Sequence, residues 1–249
     1  MPAHAIVRPP GDSYPKALTR LGAPPPVDVE LAREQHAAYV AALRACGLDV
    51  IALPPDEDHP DAVFTQDPVV VLGGRAFAAF PAAESRRGEA GALLAILAAH
   101  LPVIELALPA ALDGGDVLVA DDRAYVGLST RSNRAACLQL AERIGRPVEG
   151  VPLPGGLLHL LTGCTYLGQN RLLVIENLAP ALASFEHILA PAEEAGAANV
   201  LVVGRRVLVP AGYPQTAAIL ERCGFEVHPV PISEFEKRDG GVTCLSLIF

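Results

Sequence analysis

The sequence predicts an α/β fold in which about five copies of one unit close into a ring and form a single domain of residues 1–249. The unit is a β-hairpin followed by a helix and a further strand. Three observations support it: a repeated hairpin pattern, regular intervals between the hairpin turns, and helical and extended patterns after most hairpins. The alternative is a mixed α/β sandwich in which the spacing is coincidental.

The hairpin pattern consists of an apolar strand, a short polar turn that contains arginine, and a second apolar strand. Gly, Asp and Asn at the turns supply the backbone conformations that a hairpin requires. The turn arginines Arg75, Arg123 and Arg171 are 48 residues apart, and Arg205 follows 34 residues later. The four segments read VVVLGGRAFAAF, VLVADDRAYVGL, TYLGQNRLLVIE and VLVVGRRVLVPA.

Helical periodicity predicts five helices, with Asn133 as a cap of the third. They cover Val29–Cys46, Glu89–His100, Asn133–Ile144, Ala181–Leu189 and Pro214–Cys223. Extended segments that end near proline follow most of them: LDVIALPP, LPVIELALP, RPVEGVPLP and FEVHPVPIS. The first copy has no complete hairpin, and HAIVRPP is expected to be its remnant.

Composition limits the function. Of 249 residues, 51% are hydrophobic and 19% are charged, with a net charge of −9, which is typical of a globular chain and argues against nucleic acid or an anionic membrane as partner. The start MPAHAIVRPPGDSYP lacks the pattern of a signal peptide, and apolar runs are too short to span a membrane. Five widely spaced cysteines without a CxxC pair predict a reduced cytoplasmic protein with no zinc site. A homodimer is compatible with the sequence.

Polar residues inside apolar segments are the first candidates for chemistry, because burial without partners is costly. Asp67 follows Gln66 in AVFTQDPVVV, Asp113 and Asp116 flank Gly-Gly in ALDGGDVLV, and His159 lies in GGLLHLLTG. Each has a structural alternative. Asp67 could cap a turn before Pro68, the paired acids could form an Asp-Gly turn, and His159 could be a core histidine.

Cys244 differs from the other cysteines because Asp-Gly-Gly precedes it and Thr243 and Ser246 flank it. We interpret it as a last-strand nucleophile, which would need an acid/base partner such as His159. The other four cysteines are interpreted as inert. Three arginines lie where strands are expected to pass into helices and could each grip a carboxylate or form a surface ion pair: Arg86, Arg87 and Arg131.

Motifs along almost the whole chain resemble the dimethylarginine dimethylaminohydrolase family, a branch of the amidinotransferase and deiminase superfamily. The motifs are AREQHAAYVAAL, LPPDEDHPDAVFTQDP, AESRRGE, LDGGDVLV, YVGLSTRSN, GLLHL, PAGYP and SEFEKRDGGVTCLSL. The resemblance implies a five-fold pseudosymmetric α/β propeller around a central active site, and hydrolysis of Nω-methylated L-arginine to L-citrulline and a methylamine. It implies no metal or organic cofactor.

The resemblance also implies roles. Cys244 would attack the guanidinium carbon, His159 would protonate the departing amine and then activate water, and Asp113 would orient the guanidinium. The other implied contacts are with substrate: Asp67 with the guanidinium nitrogens, Arg86 and Arg131 with the carboxylate, and Asp61 and the backbone near Leu18 and Arg238 with the α-amino group.

One position departs from the family pattern, since Gln66 stands where many members have Glu. Loss of that carboxylate could change which guanidine is preferred. Two alternatives therefore stay open beside hydrolysis of methylated arginine. One is the same chemistry on arginine or another guanidino compound, and the other is a non-catalytic binding module on the same scaffold.

Overall fold

The computed structural model describes residues 4–79, 81 and 83–249. Phe80, the last residue of the first predicted hairpin segment, lies outside them, as do Met1–Ala3. The described strands form five three-stranded sheets, each with a central strand that is antiparallel to one neighbour and parallel to the other. The predicted five-fold repeat is therefore confirmed. No helix in this described part is long and apolar enough to cross a membrane.

The strands are, in chain order, β1 His4–Val7, β2 Asp49–Ala52, β3 Val69–Leu72, β4 Arg75–Ala78, β5 Val103–Glu105, β6 Val117–Ala120, β7 Arg123–Leu128, β8 Val148–Pro152, β9 Cys164–Gly168, β10 Arg171–Val174, β11 Glu186–Leu189, β12 Leu201–Val203, β13 Arg206–Pro210, β14 Glu226–Val230 and β15 Leu247–Ile248. The α-helices are α1 Val29–Ala45, α2 Ala90–Leu97, α3 Arg134–Ile144, α4 Leu160–Gly163, α5 Pro214–Arg222 and α6 Ser233–Glu236.

Chain contacts divide the molecule into two compact units. The first unit comprises Met1–Gln66 and Val200–Phe249 and holds the sheets β15–β1–β2 and β12–β13–β14. The second unit comprises Asp67–Asn199 and holds β3–β4–β5, β6–β7–β8 and β11–β10–β9. That residues 1–249 act as one functional domain stays a prediction.

The first sheet contains a strand pairing that the sequence repeat did not predict. Strand β1, from the predicted remnant HAIVRPP, pairs antiparallel with β15 at the other end of the chain and parallel with β2. The last strand therefore takes the place of the missing hairpin partner. The strand lies three residues after Cys244, so this pairing holds the carboxyl-terminal segment on the core of the first unit.

Helix α3 shows how local sequence sets the limits of an element. The Asn133 side chain accepts a hydrogen bond from the Ala136 amide, and Gly145 ends the helix with a left-handed φ of 71°. Ala136, Cys137 and Leu140 are buried against the core of the second unit. Full burial of a leucine contributes about 1.5–3 kcal/mol, so this apolar face stabilises the helix more than its propensity does.

The predicted helix over Ala181–Leu189 is wrong. Ala179–Leu182 forms one short 3₁₀ turn, and Glu186–Leu189 is strand β11, parallel to β10. A short apolar run fits both the helical period of about 3.6 residues and the strand period of about 2 residues. Its pairing with β10 shows that this segment is a strand. The other predicted helices are confirmed, with ends that differ by a few residues.

Candidate active site

The predicted site residues fall into two groups, one in each compact unit. The second unit brings together the side chains of Asp67, Arg86, Asp113, Arg131 and His159. The first unit contains Cys244, Gln66, Asp61, Leu18 and Arg238.

Asp113 and His159 form the centre of the second unit's group. Asp113 is 1% exposed and precedes a 3₁₀ turn, Gly114–Asp116, that leads into β6. His159 immediately precedes α4, and its Nε2 lies 3.3 Å from Asp113 Oδ2. Arg131 Nη1 donates to the same oxygen at 3.2 Å. The second oxygen, Asp113 Oδ1, has no hydrogen-bond partner among the described residues. A buried carboxylate oxygen in that condition is suited to accept an N–H from a ligand.

The protonation of His159 follows from its surroundings. Burial acts to lower the pKa of His159, but its hydrogen bond to the Asp113 carboxylate and the charges of Asp67 and Asp116 outweigh burial and raise this pKa above its usual 6.5. The imidazole is therefore held in its charged form to a higher pH than in water, and it can donate a proton to a ligand near neutrality.

Gly115 permits the close approach of these groups. A Cβ at this position would lie 2.6 Å from His159 Nδ1 and 3.0 Å from Asp67 Oδ1. The Gly115 amide itself donates to Asp67 Oδ1 at 3.2 Å. The second glycine of LDGGD is thus explained by the lack of space for a side chain beside the histidine.

The family resemblance implies that His159 is the acid/base group, and on that expectation Gly115→Ala should displace its ring and lower kcat by about 10²-fold, the typical effect of misplacing a reacting group by about 1 Å. The measurement is steady-state turnover, with circular dichroism to show that the fold is intact. Gly91→Ala is the matched control, since a Cβ there meets no atom within 4 Å. Equal turnover by the Gly115 variant and the control would show that the close contact is unimportant.

Arg86 is paired within its own chain in a way that the sequence did not predict. Its Nη1 donates to Asp67 Oδ2 at 2.7 Å, and its Nε and Nη2 donate to the Glu89 carboxylate at 2.7–3.1 Å. All three side chains are buried. Burial acts to raise the pKa of Asp67, but the charges of Arg86 and His159 outweigh it and hold this pKa below its usual range. The structure thus places Arg86 beside Asp67, and its contact with a substrate carboxylate stays a prediction.

Glu89 is the member of this network that sequence reasoning missed. It lies in the quoted motif AESRRGE, but a glutamate just before a helix usually lies on the surface. By contrast Arg87 pairs with the exposed Glu84 at 3.5 Å, which is the surface alternative considered for these arginines.

Removal of the Glu89 carboxylate is expected to destabilise the fold, because it leaves the buried Arg86 charge with part of its partners missing. We expect Glu89→Ala to lower the free energy of unfolding by about 3–5 kcal/mol, the typical cost of breaking a buried ion pair. Urea denaturation measures this change. Glu84→Ala, which removes an exposed partner of Arg87, is the matched control and should have a much smaller effect. Similar losses in both variants would contradict the account.

Cys244 lies in a 3₁₀ turn, Thr243–Leu245, rather than in the last strand as predicted. The turn follows Asp239, whose φ is +58°, and Gly240, where a Cβ would lie 2.4 Å from the Phe64 ring. The Gly241 amide donates to Cys244 Sγ at 3.4 Å, a contact that favours a thiolate. Cys244 is partly exposed, as a nucleophile must be.

The surroundings of the other cysteines differ. Cys137 and Cys164 are buried, and burial raises the pKa of both thiols. Burial also raises the pKa of Cys46. A thiol with a raised pKa is a poor nucleophile, which agrees with the interpretation of these three cysteines as inert.

Gln66 lies beside the Thr243–Leu245 turn in the first unit. Its backbone amide donates to the Cys244 carbonyl at 3.3 Å, and its side-chain oxygen accepts from the Thr243 hydroxyl at 2.9 Å. Gln66 therefore helps to hold the turn that carries the thiol, whatever it contributes to ligand binding.

The residues predicted for the α-amino group lie together in the first unit. The buried Asp61 accepts hydrogen bonds from the Leu18 amide at 3.1 and 3.3 Å. Arg238 donates to the Pro15 carbonyl at 2.9 Å and the Pro25 carbonyl at 3.2 Å. Asp61 and Arg238 thus fasten the proline-rich loop that carries Leu18, and their contacts with a ligand stay predictions.

Comparison with known proteins gives a consistent picture. The family model described as N,N dimethylarginine dimethylhydrolase, eukaryotic, matches residues 20–153. A relative from Pseudomonas aeruginosa named N(G),N(G)-dimethylarginine dimethylaminohydrolase is 40% identical over 255 residues, which cover 99% of each chain. A protein of the same name from Streptomyces coelicolor is 40% identical over 98% of this chain and 95% of its own length.

Solved structures of the same kind of protein cover the whole chain. The Pseudomonas aeruginosa protein in a cysteine-to-serine mutant complexed with citrulline matches with a TM-score of 0.95 and 39% identity, over 100% of both chains. A histidine-to-glycine variant of a dimethylarginine dimethylaminohydrolase, in an adduct with S-methyl-L-thiocitrulline, matches with a TM-score of 0.94 and 39% identity, again over 100% of both chains. The predicted α/β-propeller fold class is confirmed by this similarity.

Proposed function

Because the chain belongs to the dimethylarginine dimethylaminohydrolase family, we propose that it hydrolyses Nω-methylated L-arginine, as dimethylarginine or monomethylarginine, to L-citrulline and the corresponding methylamine. The observation that carries the proposal is the buried Asp113–His159 pair, in which Asp113 Oδ1 has no partner within the described residues. A planar cationic guanidinium offers the N–H donors that this oxygen needs.

In the proposed reaction Asp113 and Asp67 hold the guanidinium, and Cys244 supplies the attacking thiolate. Fixing the guanidinium in one orientation removes part of the entropic barrier. The thiolate adds to the guanidinium carbon, and the protonated His159 gives its proton to the nitrogen of the departing methylamine. The C–N bond breaks and a covalent thiouronium remains on Cys244.

The second half of the reaction uses His159 as a base. The now neutral imidazole takes a proton from water, the water oxygen adds to the thiouronium carbon, and the C–S bond breaks. Cys244 leaves as the thiolate, the remaining hydroxyl proton is released to solvent, and the product is L-citrulline, with His159 again protonated. The balance is one water consumed and one methylamine released. Acid/base assistance of this kind contributes about 10²–10⁴-fold to the rate.

The remaining assignments are parts of the same proposal. Arg131 and Arg86 would contact the substrate carboxylate, and Asp61 with the backbone near Leu18 and Arg238 would contact the α-amino group. No metal or organic cofactor is required by these steps. A cytoplasmic location stays a prediction from the odd number and wide spacing of the cysteines in the sequence. A homodimer and the absence of nucleic-acid or membrane partners stay predictions.

The substrate assignment is tested by incubating the protein with dimethylarginine or with arginine and measuring citrulline. We expect the larger kcat/KM with dimethylarginine. Equal or faster turnover of arginine would contradict this assignment and favour the second candidate, a deiminase with the same cysteine and histidine chemistry. Binding of either compound without citrulline would favour a non-catalytic module.

The second candidate, a deiminase, is considered because of Gln66, which is neutral where many family members carry a carboxylate. We expect Gln66→Glu to add a negative charge beside the Cys244 turn and to change the ratio of kcat/KM for dimethylarginine and arginine. Steady-state kinetics with both substrates measures the ratio. An unchanged ratio would mean that this departure from the family is neutral.

A further inference from the structure

Asp116, the second acid of LDGGD, is fully buried and has no role in the steps above. Its Oδ1 accepts a hydrogen bond from the Leu160 amide at 3.0 Å, in the residue that follows His159. Its Oδ2 accepts from the hydroxyls of Ser129 and Ser132, both at 2.6 Å. One carboxylate therefore joins the turn of His159 to the loop that follows β7.

The two serines also accept hydrogen bonds from the backbone of other proposed site residues. Ser132 Oγ accepts the backbone N–H of Asp113 at 3.0 Å, and Ser129 Oγ accepts the backbone N–H of Arg131 at 2.9 Å. Each hydroxyl donates its only proton to Asp116, so its lone pairs are turned toward these amides. In every one of its hydrogen bonds Asp116 is therefore the acceptor, and the network requires a residue with two acceptor oxygens at position 116.

We propose that Asp116 is a positioning residue that holds Asp113, Arg131 and His159 in one fixed arrangement. The inference rests on the proposed function, because it gives these three residues a common task. Asp116 itself touches none of the reacting atoms in that proposal. It acts through the Leu160 amide and the hydroxyls of Ser129 and Ser132.

The neighbouring strand is shaped to leave room for this carboxylate. A Cβ at Gly127 of β7 would lie 2.7 Å from Asp116 Oδ1 and 2.9 Å from Leu160 Cβ. Only glycine lets the strand pass so close to the hydrogen bond between Asp116 and Leu160. Gly127→Ala therefore offers a way to move Asp116 without changing its charge.

Asparagine is nearly the same shape as aspartate but cannot satisfy the network. If its oxygen faces the serines, its NH₂ group opposes the Leu160 N–H. If its oxygen faces Leu160, its NH₂ group opposes two hydroxyl protons. We therefore expect Asp116→Asn to lower kcat/KM about 10²-fold, with most of the loss in kcat, because small misplacement of catalytic groups has this effect.

A second readout distinguishes positioning from a general weakening of the fold. The acids that bear on His159 are Asp113, Asp67 and Asp116. Loss of one negative charge should shift the titration midpoint of the His159 ring to lower pH in Asp116→Asn. Gly127→Ala keeps the charge, so it should reduce kcat with a smaller shift of this midpoint. NMR of the full chain measures it, with the His159 signal assigned by its absence in His159→Asn.

Asp122→Asn is the matched control, because Asp122 is exposed in the turn between β6 and β7. It should leave both kcat/KM and the His159 midpoint at wild-type values. If Asp116→Asn does not fold, the double variant Ser129→Ala and Ser132→Ala tests the same connection and should lower kcat/KM about 10-fold.

Wild-type kcat/KM and an unchanged His159 midpoint in Asp116→Asn would overturn the proposal, as would a wild-type kcat/KM in the serine double variant. The NMR titration needs no substrate. A shifted midpoint in a protein whose wild type fails to release citrulline would therefore count against the proposed function and support the role of Asp116.

Discussion

Replacement of Cys244 by serine is expected to lower kcat by at least about 10⁴-fold and to abolish covalent labelling by 2-chloroacetamidine. The reason is that the attacking group must be ionised, and a serine hydroxyl is ionised far less readily than a thiol near neutral pH. Loss of a nucleophile in other enzymes has effects of this size or larger. The measurements are citrulline formation and mass spectrometry of the labelled peptide.

Cys223→Ser provides the matched control for this experiment. Cys223 is also partly exposed, but it caps the carboxyl end of α5 and has no proposed part in the reaction. We expect it to retain wild-type turnover and labelling. Labelling of Cys244→Ser at Cys164 would show that the nucleophile had been misassigned.

The second large effect is expected at His159. Replacement by asparagine should lower kcat about 10²–10⁴-fold, because both the proton donor for the amine and the base for water are lost. The pH profile of kcat/KM should lose the ionisation that belongs to His159. A variant with wild-type kcat and an unchanged profile would exclude His159 as the acid/base group.

The same variant should also alter the pH dependence of stability. The pKa of His159 is raised in the folded protein, so the charged ring stabilises the fold below its unfolded pKa of 6.5, and this contribution is lost as the pH rises through the folded pKa. The stability lost in His159→Asn should therefore be larger below pH 6.5 than at alkaline pH. Urea denaturation across this range measures the difference, and a loss that is larger at alkaline pH would contradict the assigned direction.

The repeated unit could be predicted from sequence because its signals are local. Each hairpin turn carries residues that tolerate a left-handed backbone, such as Asp121 with a φ of 52° and Asn170 with a φ of 60°. The pairing of β1 with β15 could not be predicted in this way, since it joins the two ends of the chain. Strand β11 was mistaken for a helix because its short sequence fits both the helical and the strand period. Only its pairing with β10 identifies it as a strand.

The candidate site was predictable where polar residues interrupt apolar segments, as at Asp113 and His159. Asp-Gly-Gly singled out Cys244 in the sequence, but its turn was mistaken for a strand, and its role as nucleophile stays a prediction. Glu89 was missed because a charged residue beside a helix start gives no sign of burial. The pairing of Arg86 with two carboxylates was missed for a related reason, since the sequence does not tell whether an arginine faces its own chain or a ligand.

The most direct test of the account is the mass of the Cys244 peptide after the enzyme is mixed with dimethylarginine and quenched with acid during turnover. The proposed mechanism predicts an adduct on Cys244 whose added mass equals dimethylarginine less dimethylamine, as expected for a thiouronium. The adduct should decay as citrulline forms. Citrulline formation with no adduct on Cys244 at any quench time, or an adduct on another cysteine, would contradict the central claim that Cys244 is the nucleophile.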